Sequence, residues 1–135
     1  MGTRKEKMNK IFYGKFLALY NQIGLYDTED SNSYPSWETG LELAVFGSKG
    51  VAVSAKGDTY VEITIYNDAA KIEDLLFYGK GQIGIGKKGL TVGNEIAAST
   101  GHLDWKEGSV LVEVYGNNRQ NEASKIVFVL NKAGK

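Results

Sequence analysis

Leu103-Asp104-Trp105-Lys106-Glu107-Gly108-Ser109-Val110-Leu111-Val112-Glu113-Val114-Tyr115 is the stretch that decides the fold class. Its second half alternates, with Val110, Val112 and Val114 on one side and Leu111, Glu113 and Tyr115 on the other, the period of a strand with one buried face. Lys106-Glu107-Gly108 is the turn that feeds it, so the stretch predicts a hairpin whose outer face stays wet.

The same period recurs outward from there. Lys125 to Leu130 is apolar on both faces and reads as a strand buried on both sides. Thr59 to Asn67 places Val61, Ile63 and Ile65 on one face and Tyr60, Glu62, Thr64 and Tyr66 on the other. Leu41 to Phe46 alternates and turns through Gly47-Ser48-Lys49-Gly50 into Val51-Ala52-Val53, and Lys56-Gly57-Asp58 turns again into Thr59. Gln82 to Val92 reads as a hairpin with Ile83 and Ile85 opposite Leu90 and Val92 across Lys87-Lys88-Gly89. Lys10 to Tyr20, rich in aromatic and β-branched residues, predicts a first strand. Asp68 to Tyr78 is the one plausible helix: Ile72, Leu75 and Leu76 have helical spacing, Asp68 suits an N-cap and Gly79 a stop, although a strand fits as well. The expectation is an all-β chain, an antiparallel β-sandwich of roughly 8–10 short strands with at most one short helix. Residues 1–9 read as a flexible leader or tag, with Met8 a candidate natural start, and residues 10–135 as a single domain.

Composition narrows the function classes. Sixteen basic residues balance sixteen acidic ones, so no whole-protein field draws nucleic acid or an anionic membrane. No apolar run approaches the roughly 20 residues of a membrane span, and nothing resembles a secretory signal. With no Cys and one His, zinc and thiolate chemistry are closed, and the cytoplasm is the simpler compartment. No catalytic constellation and no cofactor is indicated: His102 sits alone in a turn.

Three motif matches have blander explanations. Gly79-x-Gly81-x-x-Gly84 and Gly84-x-Gly86-x-x-Gly89 fit the dinucleotide fingerprint, but the isoleucines between them alternate as a strand and no helix pattern follows. Gly81 to Lys88 approaches a phosphate-binding loop but puts Lys88 where a hydroxyl is needed for magnesium. From Asp27, oxygen-bearing side chains recur as in a calcium loop and end on Glu38, yet Asn32 replaces the required Gly and Pro35 interrupts the series. Asp27 to Glu38, which carries the only Pro, is better read as a long solvated loop or an acidic interaction surface.

Phe12-Tyr13-Gly14-Lys15-Phe16, an acidic loop leading to Trp37, a Gly turn with paired strands over Val51 to Tyr66, and Leu103 to Val112 together resemble the competence protein J family of small bacterial nuclease inhibitors and its immunity-protein-like relatives. Lys106 and Glu107 stand where that family carries a Pro ahead of the last Gly. The resemblance spans Lys10 to about Leu130 and implies a β-sandwich that binds and blocks a cognate protein, such as a nuclease toxin, without chemistry of its own. An inhibitor of a basic enzyme would use acidic and aromatic side chains, which here nominates Asp27, Glu29, Asp30, Tyr34, Trp37 and Glu38 as the partner-binding set. The alternative is a carbohydrate-binding module that stacks sugars on Trp37 or Trp105 and orients them with Asn117 and Asn118. A third reading uses the outer face of Lys125 to Leu130 as an assembly edge.

Overall fold

Valine and isoleucine at every second position leave a chain little choice but to form strands that bury one face. The computed structural model, which describes residues 9–30, 42–68 and 72–132, has ten strands among those residues. They are β1 (Asn9–Ala18), β2 (Gln22–Asp27), β3 (Ala44–Phe46), β4 (Gly50–Ser54) and β5 (Thr59–Asn67), then β6 (Leu76–Ile85), β7 (Leu90–Asn94), β8 (Ser99–Leu103), β9 (Gly108–Gly116) and β10 (Lys125–Lys132). The first sheet runs β1-β5-β10-β9-β6 and the second β3-β4-β2-β7-β8, an all-β sandwich. All pairings are antiparallel except β5 with β10. Among the described residues no helix is long and apolar enough to cross a membrane.

The core lies between the sheets. Val61, Ile63 and Ile65 from β5, Val110, Val112 and Val114 from β9 and Ile126, Phe128 and Leu130 from β10 face Ile23 and Leu25 of β2, Val51 and Val53 of β4, and Leu90 and Val92 of β7. The alternation of β5 and β9 is as expected, and so is the double burial of β10. Because β10 is paired on both sides, it is an interior strand and not an assembly edge.

Three connections read from the sequence as hairpins cross between sheets instead. β6 pairs with β9 in the first sheet while β7 pairs with β2 and β8 in the second, so Gly86-Lys87-Lys88-Gly89 is a crossing. Asp104 to Glu107 likewise links β8 to β9 across the core, and Ala55 to Asp58 links β4 to β5. A tight turn between apolar strands serves either geometry, since Ile83, Ile85, Leu90 and Val92 enter the same core from opposite layers. The expected helix is also corrected. Among the described residues of that segment, Leu76 to Tyr78 opens β6 and pairs with the end of β9, with Gly79 at φ 154° next to an irregularity in register. The pairing partner on β9 outweighs a helical spacing of only three apolar residues.

The two layers are tied at opposite corners. At one, the Gly84 amide donates to the Ser48 carbonyl at 2.8 Å. At the other, the Leu17 amide donates to Ser99 Oγ at 2.9 Å. The glycine-rich run of β6 is explained by the first corner. Phe46 of β3 lies against Gly81, where a Cβ would come within 2.5 Å of the ring, so the strand is stripped of side chains to admit an aromatic from the other sheet. Replacing Gly81 by Ala should therefore displace Phe46 and destabilise the domain by about 1–3 kcal/mol, the usual cost of overpacking. Urea unfolding checks this, and an unchanged midpoint would show that the ring is not fixed there.

Candidate functional site

The acidic segment begins where β2 leaves the second sheet. The Asp27 amide donates to the Lys49 carbonyl and the Thr28 amide to the Gly89 carbonyl, both at 2.9 Å, which holds the end of β2 between two turns. Thr28 to Asp30 then forms one 3-10 turn. Asp27 is only 1% exposed, and its Oδ1 accepts from the amides of Glu29 at 3.2 Å and Gly86 at 3.1 Å. Glu29, exposed, reaches the same crossing: its Oε2 accepts from the amides of Lys87 at 2.6 Å and Lys88 at 3.2 Å. Gly86 is required for that approach, since a Cβ there would sit 2.8 Å from the Glu29 carboxyl carbon. On the far side His102 Nε2 contacts the Lys88 carbonyl at 2.6 Å, and its Nδ1 lies 3.6 Å from Asp104. The lone imidazole thus braces a turn.

Asp27, Glu29 and Lys49 line a cavity of about 510 Å³ together with Gly84, Ile85, Gly86, Glu107, Gly108 and Ser109. The β6–β9 register creates it, with Ile85 opposite Gly108 and Gly84 opposite Ser109, so the turn ahead of β9 lies beside the end of β2. Of the six residues nominated from sequence, Asp27 and Glu29 meet at this cavity. Asp27 is an internal brace, not a surface charge. Asp30 ends the 3-10 turn, and Tyr34, Trp37 and Glu38 lie outside the described residues. Sequence reasoning missed Glu107 and Ser109, because only the pairing of β6 with β9 brings them here; the matched apolar alternation of those two strands was the available signal.

The groups named for sugar binding are placed differently. Trp105 is partly buried and packs against the core. Asn117 Oδ1 accepts from the Ser124 and Lys125 amides at 2.9 and 3.1 Å, and Asn118 Oδ1 from the Arg119 amide at 2.8 Å, so both side chains shape the β9–β10 turn. Tyr78 Oη donates to the Asn118 carbonyl from below, and burial raises its pKa above the ordinary phenol value.

The outer face of the first sheet is a second candidate surface. The rings of Phe77 and Tyr115 pack there at a tilt with centres 5.4 Å apart, and Ile72, Glu73, Asp74 and Leu75 line a cavity of about 450 Å³ over Thr64 and Val127. Tyr115 Oη donates to Glu113 Oε1 at 2.9 Å. Desolvation, then that hydrogen bond and the carboxylate's charge, push the Tyr115 phenol up from 10.0 to about 12.

No protein-family model matches the chain, and no curated protein matches it in sequence. Among solved structures it is similar to ComJ, inhibitor of the DNA-degrading activity of NucA, from Bacillus subtilis, with a TM-score of 0.73, 9% identity, and 94% of this chain and 99% of that chain covered. It is also similar to the protein of crocagin biosynthetic gene J, with a TM-score of 0.54, 7% identity, and coverage of 95% and 98%. At such identities the likeness is one of fold, and the chain has a ComJ-like fold from one end of the sandwich to the other.

Two expectations follow from the site. Asp27→Ala strands the Gly86 and Glu29 amides and should destabilise the domain by about 1–3 kcal/mol, seen as a lower urea midpoint at constant m; Asp27→Ala with a wild-type midpoint would show the brace to be dispensable. The raised Tyr115 phenol contributes stability that is complete below pH 10 and is lost as pH rises towards about 12. Phenolate absorbance should show late-ionising tyrosines that include Tyr78 and Tyr115; Tyr115→Phe should remove one of them, and Glu113→Gln should move that one down.

Proposed function

We propose that the chain is a non-enzymatic inhibitor that binds and blocks a cognate protein, a nuclease, through the acidic end of the sandwich. The observation that carries this reading is the likeness of fold to an inhibitor of a DNA-degrading enzyme over 94% of the chain. The chemistry of the acidic end supports it. Glu29 is held rigidly on the Lys87 and Lys88 amides, which lowers the entropy cost of presenting its charge to a basic surface. His102 and Asp27, the groups an acid-base site would need, are bound to backbone partners instead.

A tagged copy of the chain in its native host should retain a stoichiometric nuclease, and the purified chain should inhibit that enzyme. Changing Glu29 and Asp30 to Lys should weaken binding by about tenfold and flatten its salt dependence, since like charges would now face each other. Failure to inhibit any co-purified nuclease would remove the inhibitor reading, whereas full affinity in the doubly reversed variant would move the interface elsewhere on the sandwich.

A further inference from the structure

The three most exposed large apolar side chains among the described residues, Tyr20 at 73%, Tyr60 at 62% and Ile96 at 58%, lie at the end of the sandwich opposite the acidic corner. β2 runs from Gln22 at this end to Asp27 at the other. Tyr20 is on the β1–β2 link, Tyr60 at the start of β5 and Ile96 in the β7–β8 turn. These three connections are tied together. The Asn94 side chain, 1% exposed, donates from Nδ2 to the Leu19 and Gln22 carbonyls, both at 2.9 Å, and accepts from the Ala97 amide at 2.9 Å. The turn that carries Ile96 is thereby fixed to the link that carries Tyr20. The Asp58 amide donates to the Ala18 carbonyl at 2.7 Å, which draws in the turn ahead of Tyr60.

Tyr20 is held in a left-handed backbone, φ 59° and ψ 31°, beside Asn21 at φ 56°. Asn21 suits that conformation and uses its side chain, whose Nδ2 donates to the Ala55 carbonyl at 3.3 Å. A tyrosine is strained there, where a glycine or asparagine would not be. Nothing among the described residues explains the choice, because the Tyr20 side chain has neither a hydrogen bond nor a ring contact with them. A strained aromatic that packs on nothing of its own chain points to a contact outside it.

We infer that this pole is a self-association surface, on which a second copy of the chain docks end to end through Tyr20, Tyr60 and Ile96. Charge favours a second copy. Lys56 and Asp58, both exposed, share the turn beside the patch, so a two-fold mating can set opposite charges against each other, whereas a partner surface of a single sign gains nothing. The three side chains offer roughly 400 Å² per copy, given about 150–250 Å² for a whole aromatic, against roughly 800 Å² per partner in a stable complex. The pair is therefore weak, with a dissociation constant on the order of 0.1–1 mM. The acidic corner stays free at both outer ends, and the inference does not depend on the inhibitor reading.

Sedimentation velocity and ¹⁵N spectra of the full chain, from about 20 µM to about 1 mM, test it. The sedimentation coefficient should rise with concentration, and the Tyr20, Tyr60 and Ile96 amides should shift along the same isotherm. Tyr20→Asn, which relieves the backbone, should keep at least the wild-type urea midpoint and weaken association about tenfold. Leu111→Ser, on the outer face of β9, should associate as the wild type does. A monomer throughout, a lowered midpoint in Tyr20→Asn, association untouched by that substitution, or association lost in Leu111→Ser would each overturn the surface. The same amides responding to phosphatidylcholine vesicles while the chain alone stays monomeric would overturn it in favour of a lipid surface.

Discussion

Everything in this sandwich depends on a strand with no polar face. From Ile126 to Leu130 every side chain is buried, so β10 must be paired along both edges and covered on both sides. Its inner residues complete the core, and its outer residues Val127 and Val129 demand cover on the face that a two-layer sandwich would normally leave wet. Ile72 and Leu75 line a cavity over that face together with Val127. The place of β10 between β5 and β9 answers the same demand, because those two strands offer the first sheet's long alternating apolar faces on either side of it.

The acidic end illustrates how charge is used when overall charge is zero. The carboxylates of Asp27 and Glu29 stand in for backbone acceptors at a crossing where the chain leaves one sheet for the other, and four amides are satisfied by two side chains. Such ionised acceptors make stronger bonds than a carbonyl would. A rigid acidic corner thus results from a backbone requirement at the crossing.

Periodicity made β5, β9 and β10 legible from sequence, since each carries enough alternating or continuous apolar residues to exclude a helix. What could not be read was layer membership. Lys87-Lys88-Gly89 and Lys106-Glu107-Gly108 are turns in either case, and only the partners of Ile83 and Leu90 decide whether the chain doubles back or crosses. That ambiguity hid the site as well: Asp27 and Glu29 were visible as acids, while Glu107 entered only once β6 was paired with β9. The glycines of β6 and of the turn after it match a nucleotide fingerprint that the strand alternation argued against, because spacing records where side chains are missing and not what fills the gap, here Phe46 at Gly81 and Glu29 at Gly86. The short apolar spacing after Asp68 was too local to compete with a waiting edge on β9.

The position of β10 in the chain has a consequence for synthesis. Strand β5 is made well before β10, the strand that must slot in between it and β9, so a nascent chain ending before Lys125 leaves the edges of β5 and β9 with open hydrogen-bonding groups. Folding of the first sheet must wait for its last strand and then close contacts between residues as distant as Glu62 and Lys125. During that interval the polypeptide is most exposed to wrong pairing, and chaperone protection matters more for it than for a sandwich assembled from successive hairpins.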